Sequence, residues 1–154
     1  MSEIRSMIKI LLVEDNLDDV EITRRALKDA KVLNKLWIVR DGEEALDFLY
    51  RKNQYKDPDS SPRPGLIMLD INLPKINGLE VLKRIKQNSK LKRIPVVVLT
   101  VSKRDEDIIR AYDCNCNSFI QKPVEFEKFV DVIRQIELYW GLLNLNSPNG
   151  VERK

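Results

Sequence analysis

Five short strand-like runs, four of them largely apolar, punctuate this chain, and a segment with helical spacing follows each one. The runs are IKILLV at 8–13, KLWIV at 35–39, LIMLD at 66–70, PVVVLT at 95–100 and SFIQ at 118–121. A strand with one wet face alternates polar and apolar residues, whereas a run without alternation needs cover on both faces. Helices between the strands supply that cover. Strand then helix, five times over, predicts an α/β fold with a parallel sheet and helices on both of its faces.

The intervening segments agree with this plan. Residues 17–30 place Ile22, Ala26 and Ala30 on one face, behind Asn16 or Asp18 as cap. Asp41-Gly42 makes a turn before a helix over 43–51, with Ala45, Leu46 and Leu49 inward. The stretch NQYKDPDSSPRPG at 53–65 holds three of the seven prolines and reads as a loop. Asn77-Gly78 opens a helix over 79–87, with Leu79, Leu82 and Ile85 inward. Ser102 caps a helix over 103–113, and Asn115 takes the left-handed position after it. A last helix over 124–140 turns Phe126, Phe129, Val130, Ile133 and Ile136 inward. The 154 residues, 43% of them hydrophobic, suit one domain. That domain spans 1–154, with a core over about 8–140 and a tail over 141–154.

Several function classes fall away. The chain has no histidine, so it cannot by itself build a histidine triad, a histidine-ligated zinc site or a phosphohistidine. Cys114 and Cys116 are too close in sequence for a relaxed bridge and too few for structural zinc, so they read as small buried hydrophobes. No run is long enough to cross a membrane, and the start shows no cleavable leader, which leads us to expect a cytoplasmic protein. A net charge of +3 does not require a nucleic-acid partner, and the basic run KRIKQNSKLKR at 83–93 reads as a solvated helix end.

The chemistry concentrates at the strand ends. The first run ends in Glu14-Asp15, the third in Asp70 and the fourth in Thr100, while Lys122 follows the fifth. The gaps, 30 residues from Asp70 to Thr100 and 22 from Thr100 to Lys122, are each about one αβ unit. These side chains therefore return to one edge of the sheet, where open α/β folds bind ligands. Taken singly, each has a plain reading: a turn or cap for Glu14-Asp15, a turn for Asp70, a backbone bond for Thr100, a solvated lysine for Lys122. Together, three carboxylates on one rim repel one another and need cations. Lys122 supplies one, and Mg²⁺ suits the oxygen donors. Asp70 is then an oxygen nucleophile for a phosphoryl group, whose charge Lys122 and the metal neutralise and to which Thr100 donates a hydroxyl.

The segments LLVEDN, LIMLDINLPKINGLEVL, VVVLTVS and FIQKPV resemble the motifs of response regulator receiver domains of two-component systems, over roughly 8–139. That resemblance implies a flavodoxin-like doubly wound (βα)5 fold with sheet order 2-1-3-4-5. It implies that Asp70 accepts the phosphoryl group and that Glu14, Asp15, Asp70 and the backbone carbonyl of Asn72 hold Mg²⁺, with Mn²⁺ able to substitute. Thr100 and Lys122 match the switch hydroxyl and the phosphate-contacting lysine, Phe119 matches the aromatic that changes rotamer, and the Lys122-Pro123 bond is often cis in this family.

The implied partner is a sensor histidine kinase, and the implied action is a switch that promotes only its own phosphorylation and dephosphorylation. Several segments are similar to stand-alone regulators paired with phytochrome kinases, although related regulators serve other kinases or pass phosphate onward. In that branch dimers are common, so Phe126, Tyr139, Trp140 and Leu143 become interface candidates, while the end, LLNLNSPNG, departs from the branch. An aspartyl-nucleophile phosphatase would need an acid where Asn72 stands. A binding-only pseudo-receiver would not keep the whole set Glu14, Asp15, Asp70, Thr100 and Lys122. An FMN carrier would need a phosphate loop after the first strand.

Overall fold

The computed structural model describes residues 7–112 and 118–135. Its strands are β1 (Ile8–Val13), β2 (Asn34–Val39), β3 (Leu66–Asp70), β4 (Val96–Thr100) and β5 (Ser118–Gln121). They form one parallel sheet in the order β2-β1-β3-β4-β5, as the resemblance implies. The helices between them are α1 (Leu17–Asp29), α2 (Gly42–Tyr50), α3 (Gly78–Gln87) and α4 (Lys103–Tyr112), and α5 covers residues 126–135.

The unbroken apolar strands have the double cover they require. On one face Leu11, Val13, Ile67, Leu69, Val96 and Val98 pack with Leu46, Phe48 and Leu49 of α2 and Val81, Leu82 and Ile85 of α3. On the other face Ile10, Leu12, Leu66, Met68, Val97 and Leu99 pack with Val20, Ala26 and Leu27 of α1 and Phe129, Val132 and Ile133 of α5. All five residues of β3 are buried, Asp70 included.

Four helices start on a side-chain oxygen that accepts a free main-chain N–H: Asn16 from Asp19, Asp41 from Glu44, Asn77 from Glu80, and Ser102 from Asp105. Gly42 therefore lies inside α2 rather than in a turn before it. Replacing Asn77 by Ala is expected to lower stability by about 1 kcal/mol, read as a reduced urea midpoint with an unchanged slope.

Two inward assignments change. Ile22 is 40% exposed, because with the cap at Asn16 the inward stripe of α1 runs Val20, Thr23, Ala26, Leu27. Phe126 is 42% exposed: α5 begins at 126, not 124, so Val124 is buried ahead of it and Phe129, Val132 and Ile133 form its inner stripe. The loop over 53–65 holds a short 3-10 turn, Asn53–Tyr55. The Tyr55 hydroxyl donates to Glu44 Oε2 at 2.6 Å, and Arg51 and Arg63 donate to the carbonyls of Ser61 and Leu49. Cys114, Asn115, Cys116, Ile136 and the tail over 141–154 lie outside the described residues.

Candidate functional site

The sheet order decides which strand ends meet. The chain leaves β1 toward β2 on one side and returns through β3 on the other, so β1 and β3 are neighbours at the switch point. Val13 is in register with Leu69, which puts Glu14 level with Asp70. The main-chain N–H of Glu14 donates to the Val39 carbonyl at 3.0 Å and fixes the start of the next loop. Glu14 and Asp70 are buried and Asp15 is exposed. One carboxylate oxygen from each of the three lies within 4.8 Å of the others.

Lys122 reaches into this cluster from the loop after β5. Its Nζ lies 2.8 Å from Glu14 Oε1, 2.9 Å from Asp70 Oδ2 and 3.0 Å from Asp19 Oδ2. Its main-chain N–H donates to the Thr100 carbonyl at 2.7 Å, and the Lys122-Pro123 bond is cis. Burial alone would lower the Lys122 ammonium, but the bonds to Glu14, Asp70 and Asp19 outweigh it and hold the ammonium above the ordinary lysine range. Burial, aided by neighbouring Asp70 and opposed by Lys122, pushes the Glu14 carboxyl up to about 7.

Asn72 follows Asp70 in the loop after β3, Thr100 ends the neighbouring β4, and Phe119 lies one strand further, in β5. Asp70 Oδ1 accepts the main-chain N–H of Asn72 at 3.1 Å, which turns the loop away from the strand. That loop is fixed at both ends: Gly42 N–H donates to the Pro74 carbonyl, and Gly78 N–H donates to the Ile71 carbonyl at 3.0 Å. Thr100 is fully buried, and its hydroxyl has no hydrogen-bond partner among the described residues. Leaving a buried hydroxyl unpaired costs about 1–3 kcal/mol, so its persistence at a strand end points to a ligand oxygen. Phe119 is half-buried in β5, level with Val98, against the cluster that α2 and α3 cover. Phe126 stands apart on the surface, and Tyr139, Trp140 and Leu143 lie outside the described residues.

Sequence reasoning missed Asp19. It read three carboxylates on the rim, but α1 brings a fourth, and this one joins Glu14 and Asp70 on the Lys122 ammonium. The signal was available, since Asp19 follows Asp15 by four residues in a capped first turn. It also passed as an ordinary acid at a helix N-terminus.

Three carboxylates on one ammonium, with Asp15 beside them, leave the rim short of positive charge. Glu14, Asp15 and Asp70 offer oxygens close enough to share one ion, and hard oxygen donors of this number suit Mg²⁺ or Mn²⁺. The residues therefore fit a divalent cation.

The family model for the response regulator receiver domain matches residues 10–134. Response regulator Rcp1 of Synechocystis sp. is 44% identical over 131 residues, 85% of this chain and 87% of that protein. A crystal structure of the Mn²⁺-bound form of response regulator Rcp1 superposes with a TM-score of 0.68 at 43% identity, covering 86% of this chain and 94% of that one. Bacteriophytochrome response regulator RtBRR superposes with a TM-score of 0.78 at 42% identity, over 84% of this chain and 77% of that one. The phosphorylated cyanobacterial phytochrome response regulator RcpA gives 0.70 at 41%, over 88% and 94%.

Proposed function

The chain belongs to the response regulator receiver family, and from that premise we propose that Asp70 takes a phosphoryl group from a sensor histidine kinase. The observation that carries this reading is the cluster of Glu14, Asp15 and Asp70 oxygens closed by the Lys122 ammonium.

An Asp70 oxygen attacks phosphorus on the kinase phosphohistidine. An O–P bond forms, the P–N bond breaks, and its electron pair returns to the imidazole. Lys122, 2.9 Å from Asp70 Oδ2, is placed to neutralise charge on the arriving group. Glu14, Asp15, Asp70 and the Asn72 main-chain carbonyl would hold Mg²⁺, or Mn²⁺ in its place. When bound, the cation offsets negative charge on the transferring oxygens. The Thr100 hydroxyl donates to a phosphoryl oxygen, and Phe119 repacks behind it, which changes the surface that partners meet. The chain acts as a switch, promoting only its own phosphorylation and dephosphorylation.

RcpA and RtBRR are phytochrome regulators by name, and we extend that pairing to this chain: its kinase is of the phytochrome type. The action is cytoplasmic, in keeping with the finding that no described helix is long and apolar enough to cross a membrane. We take residues 1–154 as one receiver domain that pairs with a second copy through its C-terminal region, using Phe126, Tyr139, Trp140 and Leu143. Nucleic acid is not a partner in this reading.

The test is incubation with acetyl phosphate. With Mg²⁺, intact mass is expected to rise by one phosphoryl group, and with a chelator it is expected to stay unchanged; a metal-independent gain would overturn the site. Without any phosphate donor, Mg²⁺ at about 100 times its dissociation constant is expected to stabilise the fold by about 2.7 kcal/mol. Asp15→Asn is expected to remove most of that thermal shift.

A further inference from the structure

Three carboxylates share Lys122, and they are not equivalent. Glu14 and Asp70 belong to the oxygen cluster that fits the cation, whereas Asp19 does not. Asp19 sits in the first turn of α1, its main-chain N–H donates to Asn16, and its side chain is 31% exposed. Its Oδ2 lies 3.0 Å from the Lys122 ammonium, against 2.9 Å for the contact with Asp70. A carboxylate that draws on Lys122 without holding the cation has two electrostatic consequences. It competes with phosphoryl oxygens for the ammonium, and it adds a like charge beside the path of an anionic donor.

We propose that Asp19 is a positioning residue that holds Lys122 back from the incoming phosphoryl group, and so restrains the rate at which Asp70 is loaded. This rests on the reading of Asp70 as acceptor. In the resting state Lys122 is divided among three acids. Transfer requires it to turn toward the phosphoryl oxygens, and Asp19 is the partner that neither the reaction nor the cation engages. Removing the Asp19 charge therefore frees Lys122 and lowers repulsion of the donor, with Glu14 and Asp70 still present to keep the ammonium in place.

The sign of the effect separates this from a structural role. An acid that merely supports the fold would slow phosphorylation when removed; a restraining acid speeds it. With acetyl phosphate and saturating Mg²⁺, Asp19→Asn is expected to be phosphorylated on the order of threefold faster than wild type at low ionic strength, the range of a partly exposed charge pair. The advantage is expected to shrink as salt is raised, because the interaction is screened. Asp19→Glu, which keeps the charge, is expected to stay near the wild-type rate, and Asp19→Ser serves as a second neutral variant with a different shape. A rate equal to or below wild type in both neutral variants, or an advantage that salt leaves untouched, overturns the proposal. Failure of wild type itself to take phosphate would instead sink the Asp70 reading beneath it.

Discussion

Asp70→Asn is expected to gain no phosphoryl group from acetyl phosphate under conditions where the wild-type chain is fully modified. The substitution is nearly isosteric, so the argument turns on chemistry rather than shape. An amide offers no anionic oxygen to attack phosphorus, and no other carboxylate shares the position of Asp70 at the end of β3. The amide oxygen can still accept the Asn72 N–H that Asp70 Oδ1 accepts now. Lys122 keeps Glu14 and Asp19, so its ammonium stays paired. Loss of reactivity should thus come without loss of fold. Thermal melting in the absence of metal is expected to show a variant at least as stable as wild type, because one of the three clustered carboxylates has gone. Retention of the mass gain in Asp70→Asn would show that another residue is the acceptor.

Much of this molecule could be read from the order of its residues, and the reason is physical. Strands covered on both faces are written as largely apolar runs, so β1 and β3 appear in the sequence with the bounds that the structure gives them. Parallel connections return each strand end to the same edge, so Glu14, Asp15, Asp70, Thr100 and Lys122 could be brought together by counting αβ units. The strand order was supplied by family resemblance, since alternation of elements leaves it open. Helix faces were less legible. Ile22 and Phe126 are apolar and fit a helical period, yet both face outward, because the phase of a helix depends on where its cap stops the extended chain. Asp19 was hidden for a different reason. An acid in a first turn has an ordinary explanation in the helix dipole, and only the path of Lys122 across the sheet edge reveals its second role.

Least legible of all was Gly78, which reads in sequence only as the start of a helix and in the structure carries the reacting strand. A Cβ at this position would collide with the main-chain carbonyl oxygen of Asp70, and would come to 2.6 Å from Ile71 Cα and 2.9 Å from Ile71 O. Its own N–H donates to the Ile71 carbonyl, so α3 is pinned to the residue after the acceptor. In an unconstrained helix Gly→Ala gains about 1 kcal/mol. Here the obstacle is the Asp70-Ile71 backbone, which cannot rotate away as a side chain would. The collision should win, and Gly78→Ala is expected to destabilise the fold by about 2–3 kcal/mol, at the upper end of overpacking costs. Relief comes only if α3 or the Asp70-Ile71 backbone moves. A misplacement on the order of 1 Å at the nucleophile costs about a hundredfold in rate. Phosphorylation by acetyl phosphate, measured well below the melting transition, is therefore expected to slow by at least about tenfold. Asn77→Ala, one residue away, supplies the control: it removes a cap but touches neither Asp70 nor Ile71, so stability should fall while the rate holds. If Gly78→Ala is phosphorylated at the rate of Asn77→Ala, the close approach of α3 to β3 does not position the nucleophile.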